Sequence, residues 1–231
     1  MVNDVTAAAG DKAPTPGLRE RKKQRTRATI ARAALELFDR DGFHETTIPA
    51  IAAAADVSPR TVSAYFPAKE DLVFPDQEDS FARLAERLSA RSREETTADA
   101  LRSWIREELP RWKERDIEMR MQRRVVDADE GLKAVEQRFR AHGEEVIAAA
   151  IAEDLGASPD ALEPRMAAAA TFAIFNVLGA EEDHKARLMD PDADPCTISD
   201  EPMVLQLLDR ALRFVGAGIR SLQDDPAPTG P

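Results

Sequence analysis

Cysteine is almost absent from this chain: its 231 residues include one, Cys196. A single thiol cannot close an internal disulfide, so the sequence does not read as a stapled secreted domain and fits a reducing cytoplasm. Long hydrophobic runs are missing too. The longest uncharged apolar stretch, Met166–Ala180, has about 15 residues. That falls short of the ~20 needed to span a bilayer, so it reads as a core helix and no membrane partner is expected. The N-terminus lacks the charged-then-apolar pattern of a secretory signal. No alternating hydrophobicity marks strands, and no repeat of ~20–50 residues marks a solenoid. There is no Gly-rich phosphate loop, nucleophile elbow or zinc-spaced Cys/His cluster, so catalytic residues, metal and cofactor are all read as none. These absences leave an all-α chain, long enough for one large or two small domains.

Two acidic patterns imitate metal sites. Asp190-x-Asp192-x-Asp194, with Glu201 at the twelfth position, resembles a calcium loop, but Pro195 stands where that loop needs glycine for its sharp turn. Glu181-x-x-His184 resembles half of a di-iron bundle site, and no second copy exists to complete it. The plain readings are an acidic loop and a solvated helix face.

The net charge of −11 looks wrong for a nucleic-acid binder until it is divided along the chain. Leu18–Leu72 carries ten Lys/Arg against eight Asp/Glu, whereas Val73–Pro231 carries 21 against 33. Arg19–Arg27 alone holds six basic residues and one acid. A basic patch on an acidic body can hold DNA at one face while the body repels it.

What is present centres on residues 42–72, GFHETTIPAIAAAADVSPRTVSAYFPAKEDL. The spacing predicts one helix over Ile48–Ala55, a turn at Asp56-Val57-Ser58, and a second helix over Pro59–Phe66. This is a helix-turn-helix, whose second helix can enter the DNA major groove. Ser58 is an N-cap and Pro59 falls at the first helical position, where its missing N–H costs nothing. Ile48, Ile51, Ala52 and Ala55 share a stripe, and Val57, Val62 and Phe66 seat the second helix. Pro59, Arg60, Thr61, Ser63 and Tyr65 then face away from the core. Arg60 can read a guanine edge or grip a phosphate, and Thr61 and Ser63 can meet bases or phosphates. Upstream, Ile30, Ala33, Ala34, Leu37 and Phe38 form an amphipathic helix that Gly42 ends. Thr47 can cap the following helix, and its hydroxyl or that of Thr46 can also meet a phosphate.

At these residues the chain resembles the DNA-binding domain of TetR-family transcriptional regulators. The signature runs from Arg27 through Ile30-x-x-Ala33-Ala34-x-x-Leu37-Phe38, Gly42-Phe43, Thr46-Thr47-Ile48-x-x-Ile51-Ala52, Val57-Ser58 and Tyr65-Phe66-Pro67 to Lys69-Glu70-x-Leu72. It covers about a quarter of the chain. The resemblance implies DNA contacts from Arg27, Thr46, Thr47, Ser58, Pro59, Arg60, Thr61, Ser63, Tyr65 and Lys69, with Lys69 at the start of the fourth helix. Three departures stand out. Asp56 replaces the usual Gly or Asn of the turn, which an aspartate tolerates at modest cost. Ala68 replaces a Ser, removing a cap at about 1 kcal/mol. Ser63 and Ala64 replace bulky aromatics.

The remaining chain reads as helices over 69–93, 97–115, 116–128, 130–155, 160–189 and 201–222. The domain reading is residues 1–17 disordered, 18–72 helix-turn-helix, 73–223 a helical ligand-binding and dimerisation domain, and 224–231 a Pro-rich disordered tail. The resemblance implies an apolar cavity in the second domain. Candidate lining residues are Trp104, Trp112, Met119, Phe139, Phe172 and Phe175, with His142 and Asn176 as polar groups, although any one aromatic is more often ordinary core. Leu162, Met166, Ala169, Ala173 and Val177 form one stripe; Val204, Leu208, Ala211, Val215 and Ile219 form another. Such doubly apolar helices need a partner, and the resemblance implies a four-helix bundle with a second copy. The expected function is a homodimeric repressor released from a near-palindromic operator by a small-molecule effector. The alternatives are an effector-independent DNA-binding dimer, or a helical enzyme with an incidental helix-turn-helix.

Overall fold

A computed structural model describes residues 17–174 and 201–224. The helices are α1 (Leu18–Asp41), α2 (Ile48–Ala54), α3 (Pro59–Tyr65), α4 (Gln77–Ser89), α5 (Thr97–Glu114), α6 (Asp116–Asp127), α7 (Glu130–Leu155), α8 (described over 162–174) and α9 (Glu201–Asp224). No strand occurs among the described residues, in keeping with the all-α expectation.

Local chemistry sets the boundaries. Thr96 accepts the Asp99 N–H at 3.2 Å to start α5, and Asp129 accepts the Leu132 N–H at 2.9 Å to start α7. Gly156 ends α7 with φ 61, a left-handed conformation that glycine adopts without strain. The single helix expected over 69–93 is instead two pieces. A 3-10 turn spans Glu70–Leu72, and α4 begins only at Gln77. Pro75 lies between them, and the residue before a proline is pushed out of helical geometry.

The chain folds around two apolar cores. The first joins Ile30, Ala34 and Phe38 of α1 to Ile51, Val62, Phe66 and Leu72, and continues into Met121 and Val125 of α6 and Leu132 of α7. The second gathers Leu84, Leu101, Ile105, Ile147, Ile151, Leu212, Val215 and Ile219 from α4, α5, α7 and α9. Full burial of each such large side chain contributes about 1.5–3 kcal/mol. Phe139 packs against both cores. A Cβ on Gly143 would lie 2.5 Å from Phe172 and 2.7 Å from Phe81, so a bare backbone lets both rings close over α7.

Polar and charged contacts tie α1 and its following turn to the second half of the chain. Arg124 grips Asp39, His44 Nε2 lies 2.7 Å from Asp129, and Arg32 lies 3.8 Å from Glu118. Deeper, buried Glu108 accepts two hydrogen bonds from Arg83, at 2.7 and 2.8 Å, and one from Arg111. Burial alone would push the Glu108 carboxyl up, and the two guanidiniums bring it below its ordinary value.

Candidate nucleic-acid interface

The helix-turn-helix is assembled by backbone bonds that its sequence dictates. Thr47 accepts the Ala50 N–H at 3.3 Å and starts α2. At the other end Asp56 adopts φ 53. Its N–H bonds Ala53 O at 3.3 Å while the Val57 N–H bonds Ala52 O at 2.9 Å. This is a Schellman turn with aspartate in glycine's place. Ser58 then accepts the Thr61 N–H at 3.1 Å, its hydroxyl lies 2.8 Å from that of Thr61, and Pro59 opens α3.

Val62, 0% exposed, and Phe66 anchor α3 from below. Thr47, Ser58, Pro59, Arg60, Ser63 and Ala64 are exposed, and Thr61 and Tyr65 are half-buried. The structure therefore brings Ser58, Pro59, Arg60, Thr61 and Ser63 to one outward surface. With serine and alanine in the middle of α3, Arg60 is its only long cationic side chain.

Three residues expected to touch DNA make bonds within the fold. Arg27 donates to Tyr65 O at 2.7 Å and to Pro75 O at 2.8 Å, with its guanidinium 4.3 Å from the centre of the Phe66 ring. It straps α1 to both ends of the segment that follows α3. Thr46 is 4% exposed, and its hydroxyl donates to Gly42 O at 2.8 Å, securing the α1–α2 turn. Lys69 precedes the 3-10 turn and does not start a long helix; its ammonium donates to Phe43 O at 2.5 Å and sits 4.6 Å from the Phe43 ring. The cap thought lost at Ala68 is half present, because the Asp71 carboxylate accepts the Ala68 N–H at 2.8 Å.

Residues 30–74, the α1–α3 unit and the turn after it, match the family described as bacterial regulatory proteins, tetR family. This segment is similar to the DNA-binding part of the TetR family. Over 57 residues the chain is 49% identical to the HTH-type transcriptional regulator TcmR of Streptomyces glaucescens, an alignment covering 25% of each protein. The chain thus matches only a quarter of that relative's length, and the remainder is compared through its fold. A TetR-family regulator structure from Mesorhizobium loti superposes with TM-score 0.53 at 18% identity, covering 85% of this chain and 97% of that one. FadR of Thermus thermophilus, a TetR-family repressor in complex with lauroyl-CoA, superposes with TM-score 0.50 at 22% identity, covering 88% and 100%. The TetR fold therefore extends through the C-terminal helices.

Within this TetR fold, the described pocket candidates take several different positions. Trp104 and Trp112 pack edge to face, 5.8 Å between centroids, and Phe139 lies tilted against Phe74 at 5.2 Å. Phe172 covers Gly143, and His142 is exposed with its ring edge-on to Phe81. Phe139 and Phe172 are core, and His142 faces outward, because residues 139, 143 and 147 take the inner stripe of α7. Only Trp112 and Met119 line the cleft of about 710 Å³ that opens between α1 and helices α4–α6, beside Leu35, Phe74, Arg83 and Arg115. Phe175 and Asn176 lie outside the described residues, as do the acidic patterns at 181–200 and Cys196.

The residues expected at the association stripe are placed unevenly. Val215 and Ile219, each 6% exposed, pack into the chain's own core. Met166 is 54% exposed, Ala169 half-buried, Ala173 exposed and Ala211 half-buried. Phe214, outside the expected stripes, is 72% exposed, and Leu162, within one of them, is 65% exposed. Val177, and the side chains of Val204 and Leu208, lie outside the described residues. No helix among the described residues is long and apolar enough to cross a membrane.

Proposed function

We propose that the chain is a DNA-binding transcriptional regulator that works in the cytoplasm as a homodimer, represses from a near-palindromic operator, and is released by a small-molecule effector. The observation that carries the reading is α3: Val62 and Phe66 are buried beneath it while Ser58, Pro59, Arg60, Thr61 and Ser63 stand outward on one surface. A dimer would present two copies of α3 about 34–36 Å apart, to successive major grooves. Thr47 and Tyr65 would flank that contact. The exposed apolar side chains Leu162, Met166 and Phe214 support pairing with a second copy.

The cleft between α1 and α4–α6 supports the effector half of the proposal. Its size falls within the ~300–1,000 Å³ of small-molecule sites. A ligand there would touch both domains at once and shift α1 against α6, so binding and DNA affinity would be coupled through one joint. Selection of bound sequences from a random DNA pool by the purified protein tests the reading. A two-fold symmetric consensus is the expected result; no binding even at low salt would overturn it. Arg60→Ala should weaken the selected site by about 1–3 kcal/mol if the guanidinium reads a base, and should weaken operator and random DNA equally if it grips a phosphate.

A further inference from the structure

The cleft between α1 and α4–α6 is walled by unlike chemistry. Leu35, Phe74, Trp112 and Met119 give it an apolar side. Its charged side is built of guanidiniums: six arginines face five carboxylates in the lining, within a chain of net charge −11. The positive excess is local, and it follows from how the pairs are shared.

Buried Glu108 is one carboxylate held by two cations, Arg83 and Arg111. Arg83 spends Nε and Nη2 on it. Arg111 gives it Nη1 alone and is 56% exposed. Arg27 spends its donors on the Tyr65 and Pro75 carbonyls, which carry no net charge. Arg115 stands one helical turn beyond Arg111, at the junction of α5 and α6, and pairs with Asp76. Burial holds its guanidinium below the ordinary value, against the raising effect of the Glu118 charge. A cation so placed gains from a further anion. Helices α4 and α6 both begin at the cleft, and neither N-terminus carries a side-chain cap. Those positive helix ends favour an anion in the same place.

We infer that this cleft takes an organic monoanion, its carboxylate held by Arg111 and Arg115 and its apolar body laid along Leu35, Phe74, Trp112 and Met119. A guanidinium offers a carboxylate a planar fork of donors. The single excess charge suits one carboxylate better than a phosphate, which carries about two charges. The inference names the ligand class for the effector reading above and rests on it.

The chain has two tryptophans, Trp104 and Trp112, whose rings pack 5.8 Å apart, and Trp112 lines the cleft. Intrinsic tryptophan fluorescence of the full chain therefore reports on this site. Three probes share one body and differ only in the head: phenylhexanoate, its neutral amide, and phenylhexylamine. The carboxylate should change the emission saturably and bind about 10-fold or more tighter than either other probe, the worth of one charge-assisted hydrogen bond. Arg111→Gln and Arg115→Gln are titrated separately, with circular dichroism to check the fold, so either suffices if the other unfolds. Each should remove the preference for carboxylate and leave amide affinity unchanged. Asp79→Asn, in the lining but outside the proposed contacts, should not weaken carboxylate binding. An amide or amine that binds as tightly as the carboxylate overturns this inference and leaves the cleft as an effector site. So does a carboxylate preference that survives in both arginine variants. No fluorescence response to any of the three probes overturns the cleft reading and this inference together.

Discussion

Arg124 of α6 holds Asp39 of α1 with two parallel hydrogen bonds, Nε to Oδ1 at 2.9 Å and Nη2 to Oδ2 at 2.7 Å. The pair crosses the joint between the DNA-binding helices and the rest of the chain, on the helix pair where an effector-driven shift would have to be felt.

This clasp should respond to acid in a defined direction. The Arg124 hydrogen bond, opposed by burial and helped by the Arg124 charge, holds the Asp39 carboxyl below its ordinary value. An aspartate of the unfolded chain titrates near ~3.9. The clasp's contribution is therefore fully present above that pH and is lost as pH falls through the lower, folded value. Both side chains are partly exposed, so Arg124→Gln should cost about 0.2–1 kcal/mol at neutral pH. Urea unfolding of the wild type, Arg124→Gln, Asp39→Asn and the double variant should show this coupling at pH 7 and its decline below about pH 4. A coupling that grows in acid would contradict the assignment.

Arg27 should behave as a structural strap. Hydrogen bonds from a charged donor are worth about 1.5–3 kcal/mol, and lysine cannot reproduce the fork that reaches two carbonyls. Arg27→Lys should therefore lower the melting temperature clearly while leaving operator affinity of the folded protein near the wild-type value. Loss of affinity without loss of stability would return Arg27 to the DNA surface.

Asp71 and Ala68 form one half of a capping box. Asp71→Ala should destabilise by about 1 kcal/mol, since it removes the acceptor for the Ala68 N–H. Ala68→Ser supplies the missing half and should stabilise by about 0.5–1 kcal/mol. Chemical denaturation of the two single variants checks both signs.

Phe214 and Val215 are sequence neighbours with opposite expected fates. Phe214→Glu, alone or with Met166→Glu, should shift the protein to a monomer by light scattering while its helical circular dichroism holds. Val215→Ala should instead lower stability, by about 1–2 kcal/mol for two buried methyl groups, and leave the oligomeric state alone. A dimer that survives Phe214→Glu and Met166→Glu together would place the interface on another face.

Sequence patterning carried most of the backbone. The α1 stripe, the Ser58 cap, the Asp56 turn and the start and end of α5, α6 and α7 follow from hydrophobic period and capping chemistry, which act over three or four residues. These are short-range effects and are legible locally. The failures came at longer range. The break between Glu70–Leu72 and α4 was marked by Pro75, but the periodic run masked it.

The sequence by itself determined the all-α class, the helix-turn-helix with its TetR signature, and the placement of positive charge ahead of it. Only the tertiary structure decided what individual side chains do. Arg27 finds its carbonyls 38 and 48 residues away, and Lys69 bonds a carbonyl 26 residues back. No local pattern records such distances. The same holds for α9, where apolar residues on two faces satisfy either register equally well in sequence. Burial against α5 and α7 selects Val215 and Ile219 for the core and leaves Phe214 outside, because a helix can bury only the stripe that its neighbours cover.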